Sequence, residues 1–433
     1  MPDGMIYLTG GCDGAQNCFT TKYGTVDCGC SSVTNNVVAY DPRTDAYTQK
    51  TPMPEPRYRH AVCALGNYII VLGGKTLLPD SSGNGYFPGM LNDNVGARDS
   101  IYVRAAGPRR RFICYRQFFT LQTHTHTHTH THTHTHTHTH TRPFQVYSII
   151  TNNWTSLAIK LPTDVGSDGA CTTWNDKVYV GGGYNDDYSA NYNVLYTFTL
   201  SVAPPLVGTF IKLNGAMKQA RGDYSMVAIA GVLYAFGGYQ VSNSNDWFCT
   251  PLNTTEAYDI AKQVWAPAGA GFTMLISSAE KDDGVTIGDR LYIIGGEVKA
   301  KKVACAGPDI VPLKKVYSID PRNPAEGWRT DMDLPEGRMR FAADALGGSA
   351  YIFGGQGALI DFDTLPVMYT TLKLTPGDAP SAAAALGPGP VAGIVIASLV
   401  AAVVLCACAA WRLTLRHRSP FGAPKLAGSG DGV

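Results

Sequence analysis

Charged side chains are scarce in this sequence of 433 residues: they form 16% of it, and 35 lysines and arginines balance 34 aspartates and glutamates. A net charge this close to zero provides no basic surface for nucleic acid, so we expect no nucleic-acid partner. The chain also lacks the GxSxG, P-loop, HExxH and paired CxxC motifs. Their absence argues against the hydrolase, nucleotide-binding and zinc sites built on them, and the sequence predicts no cofactor.

Glycine and tyrosine, by contrast, are abundant, with 47 and 23 residues. Many glycines for turns, many aromatic residues and little charge are typical of an all-β protein with short strands. One pattern recurs: a run of small residues, a polar turn, an aromatic-aliphatic strand and a glycine pair. Its copies are HAVCALGNYIIVLGG (60–74), ACTTWNDKVYVGGG (170–183), SMVAIAGVLYAFGG (225–238), DGVTIGDRLYIIGG (283–296), AADALGGSAYIFGG (342–355) and the half copy MIYLTGG (5–11).

This pattern resembles the kelch repeat, whose unit is a four-stranded antiparallel blade of a β-propeller. The resemblance covers residues 5–374 and implies a six-bladed propeller over 1–374 with incomplete first and last blades. The blades are expected near 1–55, 56–160, 161–214, 215–270, 271–335 and 336–374. Paired glycines let a strand turn sharply and approach a neighbouring backbone. The structural pairs are Gly10 and Gly11, Gly73 and Gly74, Gly182 and Gly183, Gly237 and Gly238, Gly295 and Gly296, and Gly354 and Gly355.

Tyrosine and tryptophan recur in the strands that follow each glycine pair, such as VVAYDPRTDAY and EAYDIAKQVW. These side chains carry large apolar surfaces, so we expect them to pack between blades and not to bind a ligand. They are Tyr40, Tyr147, Tyr196, Tyr258, Tyr317, Trp154, Trp265 and Trp328.

A Thr-His alternation occupies residues 123–141 and holds nine of the eleven histidines. Successive glycine pairs are 55 to 63 residues apart, except for a step of 109 residues that contains this run. Joining DSIY (99–102) to VYSIITNNW (146–154) restores a strand pair of the repeat, and a CA-dinucleotide tract encodes Thr-His. We therefore interpret 103–145 as a retained intron which, if translated, forms a disordered insert. The alternative, a His-rich metal tract, would bind zinc, copper or nickel without selectivity.

The longest apolar run, 391–411, contains no charged residue and matches the length of a helix that spans a bilayer. Arginines follow it, so the positive-inside rule places the tail, 412–433, in the cytosol and the propeller outside the cell or in a lumen. The Pro/Ala/Gly-rich segment 375–390 is interpreted as a linker. A tail anchor with a cytosolic propeller is the alternative, which the lack of an apolar leader before residue 5 favours.

The first and last repeats are short. The chain enters the first blade at its second strand, and the last copy, 339–374, shows three strands. An extension upstream of Met1 would supply a first inner strand, a closing strand and a signal peptide together, and we expect one.

Eleven cysteines are present, and six of them lie in loop-like segments. Loop cysteines without histidine partners favour disulfides and an oxidising compartment. The six are Cys12, Cys18, Cys28, Cys30, Cys249 and Cys305. The sequons at Asn153 and Asn253 are glycosylation candidates.

Loops after the second and fourth strands of a blade emerge on one face, which is therefore expected to carry 12–34, 75–98, 184–192, 239–253 and 297–312. Arginines of the segments between blades belong to the same face, and a guanidinium group suits a carboxylate or sulfate. The predicted ligand-binding residues are Arg57, Arg59, Arg221, Arg338 and Arg340, with Asp168, Asp282 and Asp283 weakening the field.

These features predict a membrane-anchored scaffold that binds a protein or glycan ligand, without catalysis. The alternative is a propeller enzyme acting on a carbohydrate or aldehyde. Outside the Thr-His run, the part of the chain before the apolar run has only His60, which is too few ligands for a copper-radical site like those of related propellers.

Overall fold

The computed structural model is an all-β propeller of six blades arranged around a central channel. It describes residues 3–12, 16–20, 26–30, 32–79, 86–90, 144–185, 190–241, 251–275, 284–299, 310–358, 364–377 and 385–386. Within these ranges the only helical turns are two 3-10 segments, Ala270–Phe272 and Pro324–Glu326.

Each blade is an antiparallel sheet, and its strands follow one another from the channel outwards. Blade 1 contains β1 (Ile6–Thr9), β4 (Val37–Asp41) and β5 (Ala46–Lys50). Blade 2 contains β6 (Ala61–Leu65), β7 (Tyr68–Leu72), β10 (Phe144–Ser148) and β11 (Asn153–Leu157). Blade 3 contains β12 (Ala170–Trp174), β13 (Lys177–Gly181), β14 (Leu195–Ser201) and β15 (Val207–Lys212).

The second half of the chain builds the other three blades in the same order. Blade 4 contains β16 (Ser225–Ile229), β17 (Val232–Phe236), β18 (Thr255–Asp259) and β19 (Val264–Pro267). Blade 5 contains β20 (Val285–Ile287), β21 (Arg290–Ile294), β24 (Lys315–Ile319) and β25 (Arg329–Asp333). Blade 6 contains β26 (Ala342–Leu346), β27 (Ser349–Phe353), β29 (Thr371–Leu374) and β30 (Ala385–Leu386).

Three of the long loops that follow the glycine pairs form hairpins of their own. They are β2 (Gln16–Thr20) with β3 (Val26–Cys30), β8 (Lys75–Pro79) with β9 (Tyr86–Met90), and β22 (Glu297–Lys299) with β23 (Ile310–Pro312). In addition, β28 (Thr364–Leu365), from the loop of blade 6, pairs with β2, from the loop of blade 1. The loops of the first and last blades are thus joined where the ring of blades closes.

Six hydrophobic clusters of the described residues lie between the blades, one at each interface of neighbouring blades. Between blades 2 and 3, for example, the ring of Phe144 lies 5.2 Å from that of Phe198. Ile6 and Tyr40 of blade 1 pack against Tyr351 and Phe353 of blade 6, which closes the ring of blades. Burying one such side chain contributes about 1.5–3 kcal/mol, so these interfaces hold the blades together.

The repeated aromatic residues occupy the positions that the sequence predicts. Tyr147 faces Trp154 and Tyr258 faces Trp265 across adjacent strands, with ring centroids 5.3 and 5.2 Å apart. Tyr40, Tyr147 and Tyr258 are fully buried, Trp265 and Trp328 are buried, and Tyr196, Tyr317 and Trp154 are half-buried. They are core residues of the blades.

Two predicted boundaries are corrected. The third strand of blade 2 begins at Phe144, which is fully buried, so the last two residues of the predicted insert 103–145 belong to a strand. Blade 6 has a fourth strand, because Ala385–Leu386 pairs with Thr371 and Leu372 inside the segment predicted to be a linker. Blade 1 has three strands in the described residues, beginning with the second strand of the repeat, as predicted.

The predicted membrane segment 391–411 and the tail 412–433 lie outside the described residues, as do 91–143 with the Thr-His run. Among the helices of the described ranges, none has the length and apolar character needed to cross a membrane.

Candidate functional site

The glycine pairs end the second strand of every blade with both residues in the left-handed region of the backbone, as at Gly73 (φ 62°) and Gly74 (φ 92°). Close packing reinforces the need for glycine at these turns. A Cβ atom on Gly74 would lie 2.8 Å from the carbonyl oxygen of Tyr58, and one on Gly183 would lie 2.4 Å from that of Ser167. Each pair therefore allows the segment that enters a blade to lie directly against the end of its second strand.

Isolated backbone bridges fix this segment in the same register in four blades. They join Tyr58 to Lys75, Ser167 to Tyr184, Gly222 to Tyr239, and Met339 to Gln356. In each bridge, the residue before the first member points in a different direction from the residue after it. The predicted arginines therefore fall into two groups, one on each side of the bridge.

Arg57, Arg221 and Arg338, which we call the clasp arginines, are buried, with exposed fractions of 6%, 0% and 0%. Each donates a hydrogen bond through Nη1 to the carbonyl oxygen of the first glycine of its own blade's pair. The distances are 3.0 Å to Gly73, 2.9 Å to Gly237 and 2.9 Å to Gly354.

Further bonds fix two of the clasp arginines. Arg221 pairs with the carboxylate of Glu256 at 2.8 Å, and Arg338 donates to the hydroxyl of Thr370 at 2.7 Å. Burial lowers the pKa of the Arg221 guanidinium, and Glu256 opposes that shift. The ligand-binding role that the sequence predicts for the clasp arginines is therefore corrected to a structural one, because their donors bind the protein's own main chain.

A second group of residues, which we call the mouth ring, consists of Arg59, Asp168, Asp223 and Arg340. Three of them lie two residues after a clasp arginine, and Asp168 occupies the matching position of blade 3. Their backbones are all left-handed, with φ of 55°, 57°, 52° and 52°. Each stands two residues before the innermost strand of its blade, and all four line a central cavity of about 920 Å³. The sequence places Asp283 at the matching position of blade 5, outside the described residues, as is Asp282.

Main-chain hydrogen bonds connect the mouth ring across blades 2, 3 and 4. The amide of Asp168 donates to the carbonyl oxygen of Arg59 at 3.3 Å, and the amide of Asp223 donates to that of Asp168 at 2.9 Å. The side chains of Arg59 and Asp168 form an ion pair at 3.6 Å. Arg59, Asp168 and Asp223 thus form one continuous stretch of rim and not three independent loops.

In blades 3 and 5, the residue after the glycine pair supports the mouth ring of the next blade. Tyr184 of blade 3 donates its hydroxyl hydrogen to Asp223 of blade 4 at 2.8 Å. Glu297 of blade 5 lies 3.7 Å from Arg340 of blade 6 and accepts a hydrogen bond from the Tyr239 hydroxyl at 2.6 Å. The side chains of Asp223 and Arg340 are therefore held in position from behind.

His60 follows Arg59 and lines the cavity, where its Nε2 is hydrogen-bonded to the hydroxyl of Thr9 at 2.9 Å. Burial, aided by the charge of Arg57, lowers the pKa of His60 to about 3. The imidazole of His60 is therefore neutral at physiological pH, and its hydrogen bond to Thr9 joins blade 2 to blade 1. Within the described residues, no three histidine, cysteine or acidic side chains are grouped so as to hold a metal ion.

A disulfide joins Cys63 of β6 to Cys171 of β12. It connects the innermost strands of blades 2 and 3 and lies against the cavity. Of the loop cysteines that the sequence singles out, Cys12 is also disulfide-bonded. The Cys63–Cys171 bond was not predicted, although both cysteines occur in the inner strands of consecutive repeats, which is the signal that would have found it. Asn153 and Asn253 are both exposed.

Comparisons with known proteins agree with this architecture. Residues 130–355, more than half of the chain, match the model of the KLHDC2/KLHL20/DRC7 Kelch-repeats domain. Kelch-like protein 35 of Mus musculus is 28% identical over 214 residues, which are 49% of this chain and 31% of that protein. Kelch domain-containing protein 3 of Homo sapiens is 26% identical over 217 residues, 47% of this chain and 52% of that protein.

The chain therefore spans 31% and 52% of the length of these two curated relatives. Among solved structures, that of YjhT superposes with a TM-score of 0.51 at 13% identity, covering 84% of this chain and 96% of that one. At this identity the likeness concerns the fold.

Proposed function

This chain belongs to the kelch-repeat family, and from that premise we propose that it is a non-catalytic scaffold which binds a protein partner at the mouth of its central channel. The observation that carries the proposal is the mouth ring, in which four charged side chains converge on one cavity from left-handed backbones. For the two arginines that conformation costs of order 1–3 kcal/mol each, and residues strained in this way cluster at functional sites.

The surroundings of the mouth ring support this choice of face, which we call the ring face. The glycine pairs end their strands on it, and the three hairpins that follow them rise from it. Loops carried by a rigid scaffold are where binding residues concentrate. The opposite face, which we call the turn face, carries in the described part of the chain the turns between first and second strands, such as 66–67, and those between third and fourth strands, such as 149–152.

Arg59 and Arg340 are the two predicted ligand-binding arginines that remain at the mouth, with 12% and 15% of their side chains exposed. We propose that they bind an anionic group of the partner. A protein partner is favoured over a glycan because the mouth offers acidic as well as basic groups, and protein surfaces present both charges.

We also propose that the scaffold is anchored in a membrane by 391–411, with the propeller outside the cell or in a lumen and 412–433 in the cytosol. The Cys63–Cys171 disulfide supports an oxidising compartment. Because β30 ends at Leu386, five residues before 391, the membrane would lie within about 18 Å of blade 6.

Photo-crosslinking tests the binding face. A photoreactive amino acid is placed at Gln240, which is exposed on the ring face, or at Ile150, which is 72% exposed on the turn face. We expect the full-length protein to crosslink its partner from position 240 and not from 150. Crosslinking from 150 alone would contradict the proposal. A tightly bound metal in the purified protein would favour the enzyme alternative.

A further inference from the structure

We infer that the mouth recognises a zwitterionic segment of its protein partner: an acidic and a basic side chain close in sequence, with the acid at Arg59 and Arg340 and the base at Asp168 and Asp223. This inference rests on the proposed function and specifies the ligand chemistry of the same site.

The first support is the order of charges around the channel. The two arginines come from blades 2 and 6, on either side of blade 1, whereas the two aspartates come from the adjacent blades 3 and 4. One side of the mouth is therefore basic and the other acidic, with the Arg59–Asp168 ion pair at one boundary. A rim with balanced but separated charges selects an arrangement of charges on the ligand and not a net charge.

The buried charged residues that follow the glycine pairs do not extend this division. Glu297, directly after the pair of blade 5, is 1% exposed and lies 3.7 Å from Arg340 of the basic side, while Lys75, in the same position of blade 2, is 5% exposed. The separation of charges therefore belongs to the rim alone.

The second support is the conformation of the two arginines. Aspartate adopts the left-handed region with little strain, but arginine does so rarely. The structural bonds at these blade edges are made by Arg57 and Arg338, two residues earlier, at 3.0 and 2.9 Å. The ion pairs of Arg59 and Arg340 are longer, at 3.6 and 3.7 Å. Each charge of the basic side thus stands on an unfavourable backbone, two residues after the arginine that binds the glycine turn.

The third support is the limited access of water. The side chains of Asp168, Arg59 and Arg340 are 4%, 12% and 15% exposed. Charges in such a site interact more strongly than on an open surface. A ligand with charges of one sign would cover the opposite side of the mouth without compensating it, which is costly. The mouth therefore discriminates against purely acidic and purely basic segments.

Three sets of fluorescent 12-residue peptides test this with the full-length protein. They carry one glutamate and one lysine two residues apart, two glutamates, or two lysines, in the same neutral background. We expect the mixed set to bind about tenfold more tightly than the others, which corresponds to one well-placed charge pair. Asp223→Asn should remove the contribution of the lysine and Arg340→Gln that of the glutamate, each about tenfold.

Matched controls separate binding from folding. Asparagine keeps the left-handed backbone and an acceptor for Tyr184, so Asp223→Asn should melt like the wild type. Arg322→Gln removes a charge that is 58% exposed in a turn of the turn face and should leave affinity unchanged. In addition, Asp223→Arg should shift the preference towards the acidic peptides.

The inference is overturned if acidic peptides bind as tightly as mixed ones, or if Asp223→Asn leaves affinity unchanged. It is also overturned if no set binds. These results do not by themselves overturn the proposed function, which the crosslinking experiment decides. If the partner still crosslinks from position 240, the proposed function stands and only the inference fails. If the partner crosslinks from position 150 alone, both fail.

Discussion

The guanidinium group of Arg338 donates a hydrogen bond to the carbonyl oxygen of Gly354 at 2.9 Å, sixteen residues further along the chain. The same bond, with the same separation, joins Arg57 to Gly73 and Arg221 to Gly237. The glycine turns out of its strand in a left-handed conformation, and the arginine satisfies the carbonyl oxygen buried at that turn. Blades 2, 4 and 6 are closed by this device.

We predict that Arg221→Met lowers the free energy of unfolding by about 3–5 kcal/mol, because it leaves the carboxylate of Glu256 buried without its cation. Glu256 is 4% exposed and also accepts hydrogen bonds from the amides of Lys218 and Gln219. Urea unfolding of the variant beside Arg322→Gln measures the effect. A loss below about 0.5 kcal/mol, the range of ordinary surface substitutions, would show that the clasp is not structural.

The Cys63–Cys171 disulfide should stabilise the propeller, since it closes a loop with a sequence separation of 108 residues. Closing a loop of that size contributes about 4–5 kcal/mol in the chain-entropy account. We expect the double variant Cys63→Ser, Cys171→Ser to unfold at a lower temperature than the wild type. A reductant should no longer lower its melting temperature by breaking this bond. Alkylation of both thiols in unreduced, native protein would contradict the assignment.

Stability should fall as the pH decreases below neutrality, partly because of His60. Its pKa is lowered to about 3 in the folded protein, against 6.5 for an ordinary histidine. The folded state therefore disfavours the proton, so this contribution is complete above pH 6.5 and is lost progressively towards pH 3. His60→Gln, which retains a polar group near Thr9, should show a shallower decline in melting temperature over this range. Parallel curves for the two proteins would refute the assignment, since every other titrating group is common to both.

Removing residues 103–145 should leave a folded propeller. The joined sequence places Ile101 at the position of Phe144 and Tyr102 at that of Gln145, so the third strand of blade 2 keeps its alternation. Isoleucine fills the site next to Phe198 and Phe210 less completely, and we expect a change within about 2 kcal/mol. The measurement is the melting temperature of the shortened protein. Aggregation of this variant, or mature transcripts that contain the CA repeat, would count against the intron interpretation.

Glycosylation reports the topology. With the propeller in a lumen, the exposed Asn153 and Asn253 should carry glycans, and Asn153→Gln with Asn253→Gln should remove the mass shift that a glycosidase produces. A tag after residue 433 should be cleaved by protease added to intact cells only in the tail-anchored alternative at the cell surface. Absence of glycan at both sites, with such cleavage of the tag, would favour that alternative.

The fold was predictable because each glycine pair marks the end of a second strand, and the aromatic residues that follow identify the third and fourth. Phe144 was missed because the Thr-His run interrupts the repeat just before it. Strand β30 was missed because Ala385–Leu386 lies in a Pro/Ala/Gly segment without a strand pattern and pairs only through contact with β29.

The roles of the arginines needed the structure. Arg57 and Arg59 are two residues apart and have the same chemistry, and only the backbone bridge between Tyr58 and Lys75 sets their different directions. One is buried against the glycine turn and the other lines the cavity. The separation of acids and bases around the mouth ring cannot be recognised in the sequence, because the arginines of blades 2 and 6 lie on one side only once the blades close into a ring.

Hydrogen–deuterium exchange of the full-length protein, with and without its crosslink-identified partner, tests the central claim most directly. Binding at the mouth should slow exchange in peptides that cover 57–61, 166–170, 221–225 and 338–342, and should leave the turns 149–152 and 320–327 unchanged. Protection of those turns, with the mouth segments unaltered, would contradict the account.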